Sequence, residues 1–220
     1  MSDLTLQFSE LGESAILCQA SSVVSVPKQR RLWTLREKCL AMDYVTDAIC
    51  GVNTIMVSYE PGQISATEIR VRLSEAWDGC GENSSLAGRR IEIPVSYGGT
   101  AGPDLDAVAQ QTHLTTRDVI RIHCESEYLV LAVGADPGFA YLSGLDNRLH
   151  VPRLSTPRLS APSGSVIIAG AQAGVQPIAA PCGWNIIGQT SLEMFDVHRE
   201  SPSTLLPGDM VRFFVQDTVE

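Results

Sequence analysis

The sequence predicts an α+β domain over residues 1–85, arranged as a ferredoxin-like sandwich, followed by a mainly β domain over residues 86–220. Three observations carry that reading. The first 88 or so residues order as β-β-α-β-β-α, which a small antiparallel sheet with helices on one face produces. The stretch "DGCGENSSLAGRR" (78–90) is rich in Gly, Ser and Asn and lacks an apolar period, as linkers do. Beyond it, short β-branched runs alternate with glycine and proline, the pattern of a barrel or sandwich.

In the first domain, "LTLQFSE" (4–10) alternates apolar and polar residues, and "SAILCQA" (14–20) follows after Leu11-Gly12-Glu13, which predicts a hairpin. Residues 27–42 set Leu32, Trp33, Leu35, Cys39 and Leu40 at helical spacings, with Pro27 in the first turn. "VTDAIC" (45–50) and "TIMVSYEP" (54–61) are β-branched and strand-like, closed by Pro61-Gly62. Ser65 and Glu68 have capping-box spacing, and Ile69, Leu73, Ala76 and Trp77 then mark one helical face.

In the second domain, "IEIPVSYGG" (91–99) is a strand that Pro94 demotes towards an edge. Two helices follow, Asp104–Thr112 and one beginning near Thr115 with Val119, Ile120 and Ile122 as its apolar set. "EYLVLAVG", "SGSVIIAGAQAG", "GWNIIGQTSLEMF" and "DMVRFFV" complete the strand set.

Composition narrows the function classes. With 25 acidic against 16 basic residues the net charge is −9, which opposes nucleic-acid and anionic-membrane partners. The start "MSDLTLQFSE" has no basic region ahead of an apolar run, and no apolar stretch approaches the ~20 residues of a membrane-spanning helix. Six cysteines without a Cys-x-x-Cys pair read as reduced, mostly buried hydrophobes of a cytoplasmic protein, with no metal site. No P-loop, dinucleotide fingerprint, His-Glu-x-x-His or nucleophile elbow occurs, so the chain declares no complete catalytic site of its own.

What remains concentrates in the second half. In "GADPGFAYLSGLDNRLHVPR" (134–153), glycine and proline punctuate a segment with few periodic apolar positions, which reads as a long constrained loop that positions something. Phe139 and Tyr141 share a face wherever that backbone is extended. Arg148, Arg153 and Arg158 follow at intervals of five beside prolines. A guanidinium on stiffened backbone meets a carboxylate or phosphate with little entropy left to lose. "PSGSVIIAGAQAG" (162–174) reads as a strand between glycine turns, with Gln172 as a polar amide near its end. Trp184 stands directly after Pro181-Cys182-Gly183, and Cys182 lacks the visible base that a nucleophile needs. Aromatics, arginines, an amide and histidines in one region match a concave small-molecule site.

These residues also carry a resemblance. "DPGFAYLSGLDNRLHVPRLSTPR", "PSGSVIIAGAQAG", "PCGWNIIGQT" and "LLPGDMVRF" together resemble one family over nearly the whole chain. It comprises the B subunit of the bacterial ATP-dependent 5-oxoprolinase, allophanate hydrolase subunit 1 and the sporulation kinase inhibitor KipI. "LGESAIL" is similar to that family's Gly-Asp-x-Ala-Leu opening. The sequence departs from the pattern at Ala135-Asp136, where an aromatic and a less charged residue are usual. It departs again at Val175-Gln176-Pro177 for Ile-Tyr-Pro, at Cys182 for glycine, and at Gln189 for arginine.

The resemblance implies an N-terminal α+β domain and a C-terminal cyclophilin-like β-barrel. It implies a homologous C-type subunit and a separate A-type subunit as partners, and ATP, with magnesium, as the cosubstrate of the assembled complex. The implied reaction opens 5-oxoproline to glutamate. On that reading Arg153 and Arg158 hold the anionic groups, His123 is the proton donor or acceptor, Phe139, Tyr141 and Trp184 form an apolar wall, and Gln172 hydrogen-bonds an amide. The family holds two other roles: KipI-like members bind a histidine kinase, and a related pair of domains forms the carboxyltransferase part of urea carboxylase.

Overall fold

A hairpin opens the first sheet, β1 (Gln7–Glu10) and β2 (Ala15–Gln19), turning at Gly12, whose φ of 67° suits glycine. Helix α1 (Val26–Leu40) starts where the Ser25 hydroxyl accepts the Lys28 N–H and Pro27 occupies the first turn. Strands β3 (Val45–Gly51) and β4 (Thr54–Tyr59) form a second hairpin, and α2 (Ala66–Asp78) opens on the Ser65–Glu68 capping box. The sheet order is β1-β2-β4-β3, antiparallel throughout. Because β4 lies between β2 and β3, those two run the same way and α1 is their crossover.

Both helices bury one stripe against one sheet face. Leu32, Leu35 and Cys39 of α1 and Ile69, Leu73 and Trp77 of α2 meet Ile16, Cys18, Ile55 and Val57. Burial of each large apolar side chain contributes about 1.5–3 kcal/mol. The thiols of Cys18 and Cys39 are part of this core, and burial pushes both up to about 12. All six cysteines are free.

The computed structural model describes residues 6–20, 23–81 and 88–218. The start of the first strand and residues 82–87 of the linker fall outside the described residues. The chain divides into two compact units, Met1–Leu86 and Ala87–Glu220. Among the described residues no helix is long and apolar enough to cross a membrane.

Seven strands of the second unit are β5 (Arg90–Tyr97), β6 (Tyr128–Val133), β7 (Ala140–Ser143), β9 (Ser165–Ala169), β10 (Gln172–Val175), β12 (Asn185–Gln189) and β13 (Met210–Thr218). They close into a barrel in the order β10-β7-β6-β13-β5-β12-β9. Two helices, α3 (Leu105–Thr112) and α4 (Thr116–Glu125), follow β5, and a separate ribbon pairs β8 (Arg158–Ala161) with β11 (Ala180–Cys182). Alternation sorts the side chains. Ile93, Val95, Leu142, Val166, Ile168, Ala173, Ile187 and Phe213 fill the interior, while Ile167, Ala169 and Ile186 point outward beneath the ribbon.

Three local expectations change. Residues 134–153 are not one loop, because β7 and a 3-10 turn (Asn147–Leu149) lie within them. Residues 162–174 are not one strand. They fold back at Gly170, φ 55°, so β9 and β10 pair with each other. β5 is no edge strand of an open sheet, since it is parallel to β13 and antiparallel to β12. Its bonds to β12 cover only Ser96 and Tyr97, however, so Pro94 sits where the strand has a single neighbour and no second N–H is required.

Candidate functional site

The outer wall of the barrel between β7 and β12 gathers most of the expected residues. Phe139 and Tyr141 share a face, their ring centroids 4.9 Å apart at 71°. The Trp184 ring meets them edge-on at 6.0 Å and 6.4 Å. Such edge-to-face contacts add about 0.5–1.5 kcal/mol to the burial itself. Beneath the rings lie Ala161, Ile167, Ala169, Cys182 and Ile186, a small second core between barrel and ribbon.

Backbone contacts fix Trp184 and, through it, Arg153. The Trp184 N–H donates to Cys182 Sγ at 3.4 Å, and the Gly183 carbonyl accepts the Leu154 N–H at 2.8 Å. Asn185 Nδ2 donates to the Pro152 carbonyl at 2.9 Å, and Val151 bridges to Gly170. Segment 151–154 is thereby strapped across the wall, and the exposed Arg153 guanidinium sits 5.8 Å from the Trp184 ring centroid, within cation–π range. Among the described residues no carboxylate pairs with Arg153.

Arg158 faces Cys182 across the ribbon. Its Nη2 pairs with Asp104 Oδ1, and Asp104 Oδ2 accepts the Ile186 N–H at 2.7 Å. Asp104 therefore stands at the N-cap of α3 without capping it, its carboxylate turned to the arginine instead. Arg158 Nη1 is buried with no partner, and so is Nε2 of Gln172, which shares the outward side of the wall with Ala169. Both donors are buried, and an unmade hydrogen bond there costs about 1–3 kcal/mol. At this wall the exposed Arg153 guanidinium, set by the Trp184 ring, is the group free to meet a small anion.

His123 does not join this group. It projects from α4 into the barrel interior, its ring 4.5 Å from that of Phe213 and its Nδ1 2.8 Å from the Tyr97 hydroxyl. Complete burial pushes it down to about 3, so it is a neutral core histidine, separated by the barrel wall from the rings it was expected to serve. Arg148 is also held elsewhere, bound through Nε and Nη2 to Asp146, whose carboxyl that contact lowers to about 2. Cys182 packs under Trp184 as a structural thiol. Asp104 is the residue that sequence reasoning missed. Its only signal, a position at a helix start, also describes an ordinary cap. Among the described residues no group of three His, Cys, Asp or Glu is placed to hold a metal ion.

The family pattern described as carboxyltransferase domain, subdomain C and D, matches residues 6–205. A protein of Escherichia coli O157:H7, named as the B subunit of 5-oxoprolinase, is 42% identical over 94% of this chain and 94% of its own. The chain belongs to the family of 5-oxoprolinase B subunits. A second member, from Haemophilus influenzae and of the same name, is 37% identical over 94% of this chain and 96% of its own. The crystal structure of TTHA0988 superimposes with a TM-score of 0.79 at 32% identity, covering 92% of this chain. This chain spans only 40% of that one, so the B-subunit fold also occurs as one section of a much longer polypeptide.

Proposed function

We propose that this chain acts as the B-type component of an ATP-dependent 5-oxoprolinase, together with a homologous C-type subunit and a separate A-type subunit. The observation that carries the reading is 42% identity over 94% of the chain to a protein named as the B subunit of 5-oxoprolinase. We read the second unit as the cyclophilin-like barrel of that family. The first we read as a ferredoxin-like sandwich in which the hairpin strand β1 supplies one edge.

The chemistry asks for positioning. Amide resonance protects a lactam, and transfer of a phosphoryl group from ATP to its carbonyl oxygen makes a better electrophile. Water then adds at that carbon, the C–N bond breaks with the nitrogen taking up a proton, and a second water cleaves the resulting acyl phosphate to glutamate and inorganic phosphate. The rings of Phe139, Tyr141 and Trp184 would receive the apolar edge of 5-oxoproline, Arg153 its carboxylate, and the free donors of Gln172 and Arg158 its amide oxygen. ATP with magnesium is assigned to the assembled complex, because the ring site offers one unpaired guanidinium and no phosphate-binding loop.

Reconstitution tests this. The chain is mixed with its partner subunits, and ATP hydrolysis is followed with and without 5-oxoproline. Hydrolysis that needs 5-oxoproline and every component, and that falls at least about tenfold in an Arg153→Ala, Arg158→Ala double variant, supports the assignment. A double variant of full activity removes the anion-binding role, and hydrolysis indifferent to this chain removes the function.

A further inference from the structure

A second cleft in Ala87–Glu220 is built from other elements than the ring site. It has a volume of about 870 Å³ and is lined by residues 97–99, 102–103 and 105–106, by the first half of α4, and by Val215 and Thr218 of β13. Its turn is fixed. Gly98 and Gly99 both have left-handed φ, 78° and 48°, and the Gly102 N–H returns to the Gly98 carbonyl at 2.8 Å. A Cβ on Gly102 would stand 2.1 Å from the Ile187 carbonyl oxygen.

Four charged side chains line this cleft, and they fall into two kinds. Arg121 donates to Asp118 at 3.1 Å and to Glu125 at 2.9 Å, so these three side chains already have partners, with a net charge of −1. Arg117 and Asp106 are both exposed and have neither an ion pair nor a hydrogen bond among the described residues, not even with one another. One free cation and one free anion thus face a common cleft whose apolar wall is Leu105, Ile120 and Val215.

That pairing selects a ligand chemistry. A simple anion on Arg117 would lie in the field of Asp106, and a simple cation on Asp106 in that of Arg117. A neutral molecule leaves both unanswered. A ligand with both charges on one short skeleton satisfies each with its opposite. We propose that this cleft binds a zwitterionic α-amino acid, its carboxylate on Arg117 and its ammonium on Asp106. The cleft exceeds the size of one amino acid, so the side chain is accommodated along the apolar wall. Choosing L-glutamate as the first ligand rests on the 5-oxoprolinase reading, since it is the product there; the zwitterion chemistry does not. The lactam has a carboxylate but no ammonium, so the cleft discriminates product from substrate.

The test is calorimetric titration of the full chain with L-glutamate, glycine, L-lysine and 5-oxoproline. Saturable L-glutamate binding is expected, weakened about tenfold or more in Arg117→Gln and likewise in Asp106→Asn. Both varied side chains are exposed, and circular dichroism confirms that the variants fold. 5-Oxoproline should bind in a manner that neither Arg117→Gln nor Asp106→Asn alters. Saturation by none of the three amino acids overturns the proposal, as does amino-acid binding that both variants leave intact. The titration needs no partner protein or ATP, so failure of the reconstituted reaction with intact glutamate binding removes the enzymatic reading alone.

Discussion

Gln176 donates from Nε2 to Asp136 Oδ2 at 3.5 Å, so two positions at which this sequence departs from its family's pattern are partners in space. Gln176 is buried, and its backbone is tied at both ends, N–H to Ser165 and carbonyl to Gly164. Asp136 belongs to a turn that Gly138 closes against Met194 and Phe195. A polar pair here stands where the family pattern has a less charged residue and a tyrosine, and each member makes the other tolerable. Asp136→Ala alone strands a buried amide and is expected to cost about 1–3 kcal/mol. Adding Gln176→Leu should recover much of it. Urea denaturation of the two single variants and the double one checks the coupling, and strictly additive losses would deny it.

Removing the arginine of the Asp104–Arg158 pair leaves a nearly buried carboxylate held only by the Ile186 N–H. Arg158→Met is therefore expected to destabilise the barrel unit by about 1.5–3 kcal/mol, and Asp104→Asn by less. Denaturation midpoints decide the order. A larger effect of Asp104→Asn would mean that the carboxylate serves the Ile186 backbone more than the arginine.

Trp184 is both a core residue and the seat of Arg153. Trp184→Ala should cost about 3–5 kcal/mol of stability, as for other buried aromatics. Trp184→Leu keeps much of the volume but loses the ring face under the guanidinium. Its expected signature is modest destabilisation with weakened 5-oxoproline binding. Equal binding by the leucine variant and the parent chain would take the indole out of recognition.

The interior histidine predicts a pH dependence with a definite sign. Folded, His123 stays neutral down to about 3, whereas its ordinary value is 6.5. As pH falls the unfolded chain therefore binds this proton first. The contribution is complete above 6.5 and is lost at about 1.4 kcal/mol per pH unit on the way to 3. Asp146, lowered from 3.8 to about 2, acts only in the more acidic window. Folding free energies measured between pH 7 and 4.5 should slope for the parent chain and flatten in His123→Gln. Parallel slopes would contradict the assignment.

What could be read beforehand was local. The Ser65–Glu68 box, Pro27 and Thr115 announce helix starts because capping needs residues only a few positions apart. Phe139 and Tyr141 reveal a shared face because strand alternation is a property of the chain itself. The ribbon was hidden, since β8 and β11 are only four and three residues long and too short to show a period. The Asp104–Arg158 pair joins residues 54 apart, and no propensity encodes that meeting. His123 drew a proton-transfer role because its residue type suits that chemistry. Its concealment depends on Tyr97, 26 residues earlier, whose hydroxyl meets Nδ1.

The parallel pairing of Arg90–Tyr97 with Met210–Thr218 has a consequence during synthesis. Its two strands are separated by about 120 residues, so on a translating ribosome the first must wait, unzipped, until nearly all of the unit has emerged. Nascent or truncated chains lacking the final stave carry two raw seams, along β5 and along β6, that invite another molecule's strand. Arrival of β13 is thus the event that makes this unit self-contained.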